Sequence, residues 1–258
     1  MTVVVGFLLA LLALVGTHLL DGGELGLLLQ PSAALIVVGG TMAALAVQYR
    51  WEALRDVLID LRSGDAAASH RLSREETIRL FVAMAGAVNR RGTQAVLGVA
   101  ADVATESSLL HTAVELVGRG SSPEDIRTTL ELIAARIDRR AAMAVDILQA
   151  GGGFAPTMGV LGAVFGLVRI MSMVSNPDQL GSGIALAFVA TIYGLGLANF
   201  VLLPLAGRME TRVQGQLDDM ELVIEGACAL ASRDEPKLVE RKLASFARTQ
   251  GKRNRAVS

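Results

Sequence analysis

The sequence has little of what catalysis or metal binding requires. Charged residues make up 19% of the 258 positions and aromatic residues 4%. The single cysteine, Cys228, excludes an internal disulfide. The three histidines, His18, His70 and His111, lack the spacing of metal ligands, so neither a metal nor a cofactor is expected. The chain also has no glycine-rich phosphate loop and no nucleophile paired with a base, which argues against an enzyme.

Hydrophobic residues, by contrast, make up 52% of the chain, and the mean hydropathy is +0.48. This balance is too apolar for an ordinary soluble domain. Charged residues concentrate in positions 50–149 and 208–254, and the other stretches are almost free of charge. A membrane span needs about 20 apolar residues, and four stretches meet or approach that length. The predicted spans are Val3–Leu20, Ala33–Gln48, Phe154–Val174 and Ile184–Leu205.

The distribution of positive charge predicts the orientation of these spans. Neither of the short connections, 21–32 and 175–183, contains Lys or Arg, whereas Arg50 follows the second span and Arg208 follows the fourth. Because positive residues favour the cytoplasmic side, both termini and the middle block are predicted to be cytoplasmic. A cleaved signal peptide is the alternative interpretation of the first span, but the basic residues that usually begin one are absent.

The charged blocks carry the patterns of helices. Residues 52–62 have amphipathic spacing, and Ser73 with Glu76 has the form of a capping box. Ser122, followed by Pro123 and two acids, marks a helix start. That helix is predicted to lead directly into the third span. The predicted fold class is therefore all-α: a four-span transmembrane protein with a helical cytoplasmic domain between spans two and three and a cytoplasmic C-terminal tail.

The predicted membrane spans and the charged stretches between and after them divide the chain into four segments. They are a transmembrane hairpin at 1–50, a cytoplasmic helical domain at 51–152, a transmembrane pair at 153–206, and a cytoplasmic C-terminal helix and tail at 207–258.

Small residues line one face of each helix in the transmembrane pair. In span three they are Ala155, Gly159, Gly162 and Gly166. In span four they are Gly183, Ala187, Thr191, Gly194 and Ala198. Helical periodicity places each set on a single face. Small residues let helices approach closely in lipid, so helix packing explains the glycines.

Two residues of this pair do not fit packing alone. Pro156 removes a backbone hydrogen bond and would act as a hinge. Thr191 places a hydroxyl near mid-membrane, where it either lines a wet path or bonds back to its own helix. The interiors of both spans contain no Asp or Glu, although an ion path normally needs an intramembrane carboxylate. If ions pass here, a different chain must supply that group.

The two spans resemble a known family. Their sequences, GGFAPTMGVLGAVFGLV and LGSGIALAFVATIYGLGLANFVLLPLA, closely resemble spans of the MotA/PomA flagellar stator subunits, part of the MotA/TolQ/ExbB superfamily. The resemblance extends over the chain and includes the segment SSPEDIRTTLE. It implies an inner-membrane complex of five such subunits around two copies of a MotB-type partner, whose transmembrane Asp carries the ion. Ion flow would turn the ring, which would push on the rotor switch protein FliG; no nucleic acid is involved.

The resemblance also implies an ion path and the ion that uses it. The path residues are Pro156, Gly159, Ala163, Ala187 and Thr191. Sodium-driven members carry Thr in both spans, whereas here the span-three position is Ala163, which favours protons. A sodium-driven, PomA-like stator and an ExbB/TolQ-like energy-transducing subunit are the alternatives within the superfamily. A membrane scaffold that conducts nothing is the alternative from another class.

A rotor-contacting stretch is implied in the cytoplasmic domain. Its residues would be Arg90, Arg91, Asp102 and Glu106. Members of the family typically have two Arg and an acid here, but Leu97 stands where the acid is expected, and Asp102 or Glu106 would substitute for it. Pro236 matches the family's second proline and is assigned a coupling role by the resemblance.

Overall fold

A computed structural model describes residues 25–63, 72–99, 108–172 and 180–245, together with the single positions 6, 12, 16 and 20. Throughout these residues every regular element is helical, as predicted. The helices are α1 (Leu25–Leu28), α2 (Pro31–Gln48), α3 (Trp51–Ser63), α4 (Arg74–Arg91), α5 (Ala95–Val99), α6 (Ser108–Gly118), α7 (Pro123–Ser172), α8 (Leu180–Gly196), α9 (Leu203–Ala231) and α10 (residues 236–245).

The described residues include three helical stretches that are long and apolar enough to cross a membrane. They are Pro31–Gln48, Pro123–Ser172 and Gly183–Ala231. These contain the whole of the predicted second and fourth spans and residues 154–172 of the third. The predicted first span, Val3–Leu20, lies outside the described residues apart from the four single positions.

The helix starts that were predicted from local sequence are present. The backbone N–H of Glu76 donates to Ser73 Oγ at 3.2 Å, and the backbone N–H of Ser73 donates to Glu76 Oε2 at 2.7 Å, which completes the capping box of α4. The hydrogen bond that the Glu76 carboxylate accepts from the Ser73 backbone N–H holds the pKa of that carboxyl below its usual range. Ser122 Oγ accepts from the backbone N–H of Asp125 at 3.1 Å. From Pro123, α7 continues without interruption into the predicted third span and ends at Ser172.

The chain divides into two compact units: residues 1–59 with 142–210, and residues 60–141 with 211–258. In the first unit α2 packs against α8, and the buried side chains between them include Val37, Val189 and Ala190. The Tyr193 hydroxyl donates to the Leu28 carbonyl at 2.5 Å. The first unit is thus built from apolar helices joined by few polar contacts.

The second unit has a larger core of buried residues. It includes Phe81, Met84, Ile126, Leu130, Leu222 and Leu230. Arg74 reaches the buried Asp218 at 3.2 Å (Nη2 to Oδ2) and the half-exposed Asp219 at 2.7 Å (Nε to Oδ1). This ion pair holds the start of α4 against α9. Cys228 is buried in the same unit, and burial raises the pKa of its thiol.

Candidate functional site

Helices α7 and α8 meet along a line of small residues, here called the seam: Ala155, Gly159, Gly162 and Gly166 of α7 with Ala187, Ala190, Thr191 and Gly194 of α8. A Cβ built on Gly166 would lie 2.7 Å from the backbone N of Ala187, and one on Gly194 would lie 2.6 Å from the carbonyl O of Ala155. Real Cβ atoms essentially never approach that closely, so glycine is required at both positions. The small-residue faces predicted from the spacing therefore pack against each other.

Ala190 belongs to the seam but was missed by the sequence reasoning. It is completely buried, and a Cβ on Gly162 would lie only 2.6 Å from the Ala190 Cβ. The signal was available, because Ala187, Ala190 and Gly194 follow one another at i, i+3 and i+7. The prediction instead used Thr191, whose Cα also lies on the seam, 3.3 Å from a Cβ on Gly159.

Thr191 is the one hydroxyl-bearing residue of the seam. Its side chain is half-buried, and Oγ1 donates to the carbonyl of Ala187 one turn earlier, at 3.2 Å. Of the two alternatives for this hydroxyl, the structure has the bond back to its own helix. The lone pairs of Oγ1 still accept hydrogen bonds. A place on the ion path stays a prediction for Thr191, as it does for the buried Ala187 and the half-buried Ala163.

Pro156 lies inside the continuous helix α7 and is half-buried. It follows three glycines, and it cannot donate the hydrogen bond that the Gly152 carbonyl would otherwise accept. The first two glycines are covered: a Cβ on Gly152 would lie 2.6 Å from Leu203 Cδ2, and one on Gly151 would lie 3.2 Å from Leu202 Cδ1. Backbone freedom and a missing hydrogen bond thus coincide at this point of α7, although the hinge role itself stays a prediction.

A π-helical segment, Leu197–Leu202, joins α8 to α9 and was not predicted. It ends two residues before Pro204, which lacks the N–H that would bond four residues back and so favours a widened turn. Within it, Asn199 is exposed and donates from Nδ2 to the Leu195 carbonyl at 3.0 Å. The sequence did contain a signal for this segment, namely a proline inside a helical hydrophobic run.

In the second unit the two predicted basic residues, Arg90 and Arg91, are exposed at the end of α4. Pro236 lies near Arg90. Each packs over Gly86: a Cβ built on that glycine would be 3.5 Å from Arg90 Nη2 and 4.0 Å from Pro236 Cγ. The Asn89 side chain also donates from Nδ2 to the backbone carbonyl of Asp234 at 3.3 Å. Two predicted sites, the rotor contact and the coupling proline, are thus neighbours on one surface, here called the basic tip.

The remaining residues of the predicted rotor contact are placed as follows. Asp102 and Glu106 lie outside the described residues. Leu97, at the position of the expected acid, packs on Gly118, where a Cβ would lie 3.1 Å from Leu97 Cγ. An apolar contact therefore occupies the place where the resemblance predicts an acid.

Comparison with known proteins identifies the family. Residues 4–93 match the motility protein A N-terminal model, and residues 102–222 match the MotA/TolQ/ExbB proton channel family. Motility protein A of Bacillus subtilis is 32% identical over 246 residues, which cover 95% of this chain and 90% of that protein. This chain belongs to the motility protein A family.

Two further relatives agree with that assignment. The Vibrio alginolyticus chemotaxis protein PomA is 25% identical over 90% of this chain and 89% of its own length. The fold matches the structure of the flagellar MotAB stator complex from Bacillus subtilis with a TM-score of 0.84 and 29% identity, covering 95% of this chain and 96% of that one. This motility protein A homologue is an ion-channel subunit of the flagellar stator and a multi-pass protein of the inner membrane.

Proposed function

We propose that this chain forms half of a proton path along the seam and that a MotB-type subunit completes it with an intramembrane carboxylate. The observation that carries this proposal is the chemistry of the seam. Its helices approach closely, yet residues 147–168 and 179–207 contain no charged side chain. A path for ions through the hydrocarbon region needs an ionisable group, so the partner must provide it. The fold match to a structure of a flagellar MotAB stator complex supports a MotB-type partner for this chain.

Exposed apolar side chains support the presence of neighbouring chains or lipid around α7 and α8. Phe188, Val168 and Val160 are 68%, 60% and 58% exposed. Such surface is stable only against lipid or other apolar helices. The proposed assembly is a ring of five copies around two copies of the partner, as the family resemblance implies.

The ion is proposed to be a proton because the seam offers little to hold sodium. Sodium sites in membrane proteins are built from several oxygen ligands, including freed backbone carbonyls. Ala163 contributes no side-chain oxygen, and among the residues of the seam Thr191 alone has one. A proton needs no coordination shell, since a chain of hydrogen bonds carries it.

Swimming speed at fixed pH is expected to stay constant when external sodium is replaced by potassium. The reason is that a proton-driven stator takes its energy from the proton gradient alone. Cells lacking their native stator and carrying this chain with its partner would be tracked at several sodium concentrations. A protonophore, as the matched control, should stop them at every concentration. Speed that rises steeply with sodium would establish the sodium-driven alternative.

The orientation and segments proposed for the chain follow its charges. The hairpin (1–50) and the transmembrane pair (153–206) would lie in the membrane, while the domain at 51–152 and the tail at 207–258 would be cytoplasmic. Both termini would then face the cytoplasm. The basic tip would then lie on the cytoplasmic side of the membrane.

The basic tip is proposed as the contact with the rotor switch protein FliG, with Asp102 and Glu106 supplying the acidic part of that contact. Arg90 and Arg91 are exposed and make no ion pair within the described ranges. Unpaired exposed charges of this kind guide the encounter of two proteins and fix how their surfaces align. Pro236 would couple the tip to α10 through its contact over Gly86.

Reversing both charges, Arg90→Glu with Arg91→Glu, is expected to abolish recruitment of the stator to the motor. Two like charges would then face the carboxylates of the rotor, which costs several kcal/mol. Fluorescently tagged complexes would be counted at motors, and membrane levels would be measured by immunoblot. Arg79→Glu, an exposed position in the same helix, is the control and should recruit normally. Normal recruitment of the double variant would place the rotor contact elsewhere.

A further inference from the structure

The turn after α9 contains an unusual backbone conformation. Arg233 has φ of 57° and is the one non-glycine residue with positive φ among residues that the structure describes. Three hydrogen bonds define the turn: the backbone N–H groups of Ser232, Arg233 and Asp234 donate to the carbonyls of Cys228, Leu230 and Ala229, each at 3.0 Å. This is a Schellman ending, in which the left-handed position is normally glycine.

The same turn occurs a second time in the chain, with glycine. After α6, the backbone N–H groups of Arg119, Gly120 and Ser121 donate to the carbonyls of Glu115, Val117 and Leu116 at 3.0–3.1 Å. Gly120 has φ of 76° at the position equivalent to Arg233. In both cases a helix beginning with proline follows three residues later, at Pro123 and at Pro236. The fold thus uses glycine for this geometry in one turn and accepts a strained arginine in the other.

Side chains with a Cβ are disfavoured in the left-handed region, so an arginine at this position lowers stability relative to glycine. A residue kept in a costly conformation at an exposed position points to a function for its side chain. Arg233 is exposed, and it makes no ion pair with any of the described residues.

Arg233 lies close to the basic tip. The next residue, Asp234, accepts a hydrogen bond from the Asn89 side chain at 3.3 Å, and Asn89 directly precedes Arg90 and Arg91. Pro236 and Arg90 Nη2 pack over the same point of Gly86. Two segments about 140 residues apart in sequence therefore bring three exposed arginines to the basic tip.

We propose that Arg233 is a specificity residue of the basic tip, held in the left-handed conformation so that its guanidinium joins those of Arg90 and Arg91 in binding a carboxylate-bearing surface of the rotor. This proposal rests on the proposed rotor contact at the tip. Guanidinium groups bind carboxylates through paired hydrogen bonds, so three of them in fixed positions recognise a particular arrangement of acids.

Variants at position 233 separate the charge from the backbone strain. Arg233→Gly and Arg233→Asn suit the left-handed conformation and remove the charge, whereas Arg233→Lys keeps the charge. The full chain in complex with its partner subunit would be purified for thermal unfolding, and tagged complexes would be counted at motors in cells. Arg233→Gly is expected to unfold at a temperature equal to or above that of the natural protein, because the strain is relieved.

Recruitment to the motor is expected to fall about fivefold in Arg233→Gly and Arg233→Asn, the effect of losing one interfacial charge pair, and to be largely kept in Arg233→Lys. Natural recruitment by Arg233→Gly would overturn the proposal, as would a fall in its unfolding temperature, which would indicate a structural role. If Arg233→Gly recruits normally while Arg90→Glu with Arg91→Glu does not, the rotor contact stands without Arg233. If both recruit normally, the rotor contact at the tip fails as well.

Discussion

Gly194→Ala is expected to abolish swimming. The added methyl group would lie 2.6 Å from the Ala155 carbonyl O and 3.1 Å from Gly159 Cα, both of them backbone atoms of the facing helix. Backbone cannot rotate out of the way as a side chain can, so α7 and α8 must move apart. Overpacking of this kind costs about 1–3 kcal/mol, and it changes the geometry of the path along the whole seam. Swimming and the membrane level of the complex would be measured together.

Gly196→Ala is the matched control for this substitution. Position 196 lies in the same helix two residues later, and its Cβ would meet only Phe200 Cδ2 at 4.0 Å, an ordinary contact. Alanine also favours the helix over glycine by about 1 kcal/mol. The control is therefore expected to swim normally. Normal swimming by Gly194→Ala would mean that the two helices are not closely packed in the working stator.

Pro156→Leu is expected to stop rotation while the complex remains in the membrane. Proline inside a helix costs about 3 kcal/mol, and leucine restores the missing N–H, so the substituted α7 should be more regular and no less stable. The variant would instead lose the ability of α7 to bend at this point. Its backbone hydrogen bonds would no longer be interrupted after Gly151, Gly152 and Gly153. Tethered-cell rotation and membrane levels of the complex would be measured.

Val160→Leu serves as the control for Pro156→Leu. It introduces the same side chain one turn later, at a position that is 58% exposed, and leaves the backbone hydrogen bonds unchanged. Rotation at normal torque is expected. A rotating Pro156→Leu motor would remove the hinge role, and a Pro156→Leu complex missing from the membrane would show that the proline acts in assembly.

The candidate sites were predictable to different degrees. Residues of the seam could be found because helical spacing places Gly159, Gly162 and Gly166 on one face whatever lies opposite. Which atoms they meet could not be found: Ala190 is completely buried against Gly162, while the spacing had pointed to Thr191. Choosing between adjacent residues requires the rotation of one helix relative to the other, and that is set by packing along its entire length.

The basic tip was predictable only in pieces. Arg90 and Pro236 could each be singled out, but nothing local relates them, since they are 146 residues apart. Their contact over Gly86 depends on α4 and α9 enclosing a common core of Phe81, Leu222 and Leu230. The left-handed conformation of Arg233 was equally out of reach, because arginine carries no preference for it.

The sequence by itself determined several features that depend on neighbouring residues. Apolar length marked the helices that contain the second and fourth predicted spans and most of the third, the Ser73 and Ser122 side chains set two helix starts, and small-residue spacing set the two faces that meet. The tertiary structure alone decided which residues oppose one another: Gly194 and Ala155 at the seam, Arg74 and Asp218 in the second unit, and the arginines of the basic tip. The physical reason is the separation along the chain of the residues that interact. Hydrogen bonds within a helix join residues four positions apart. These contacts join distant segments, which only the burial of a shared core brings together.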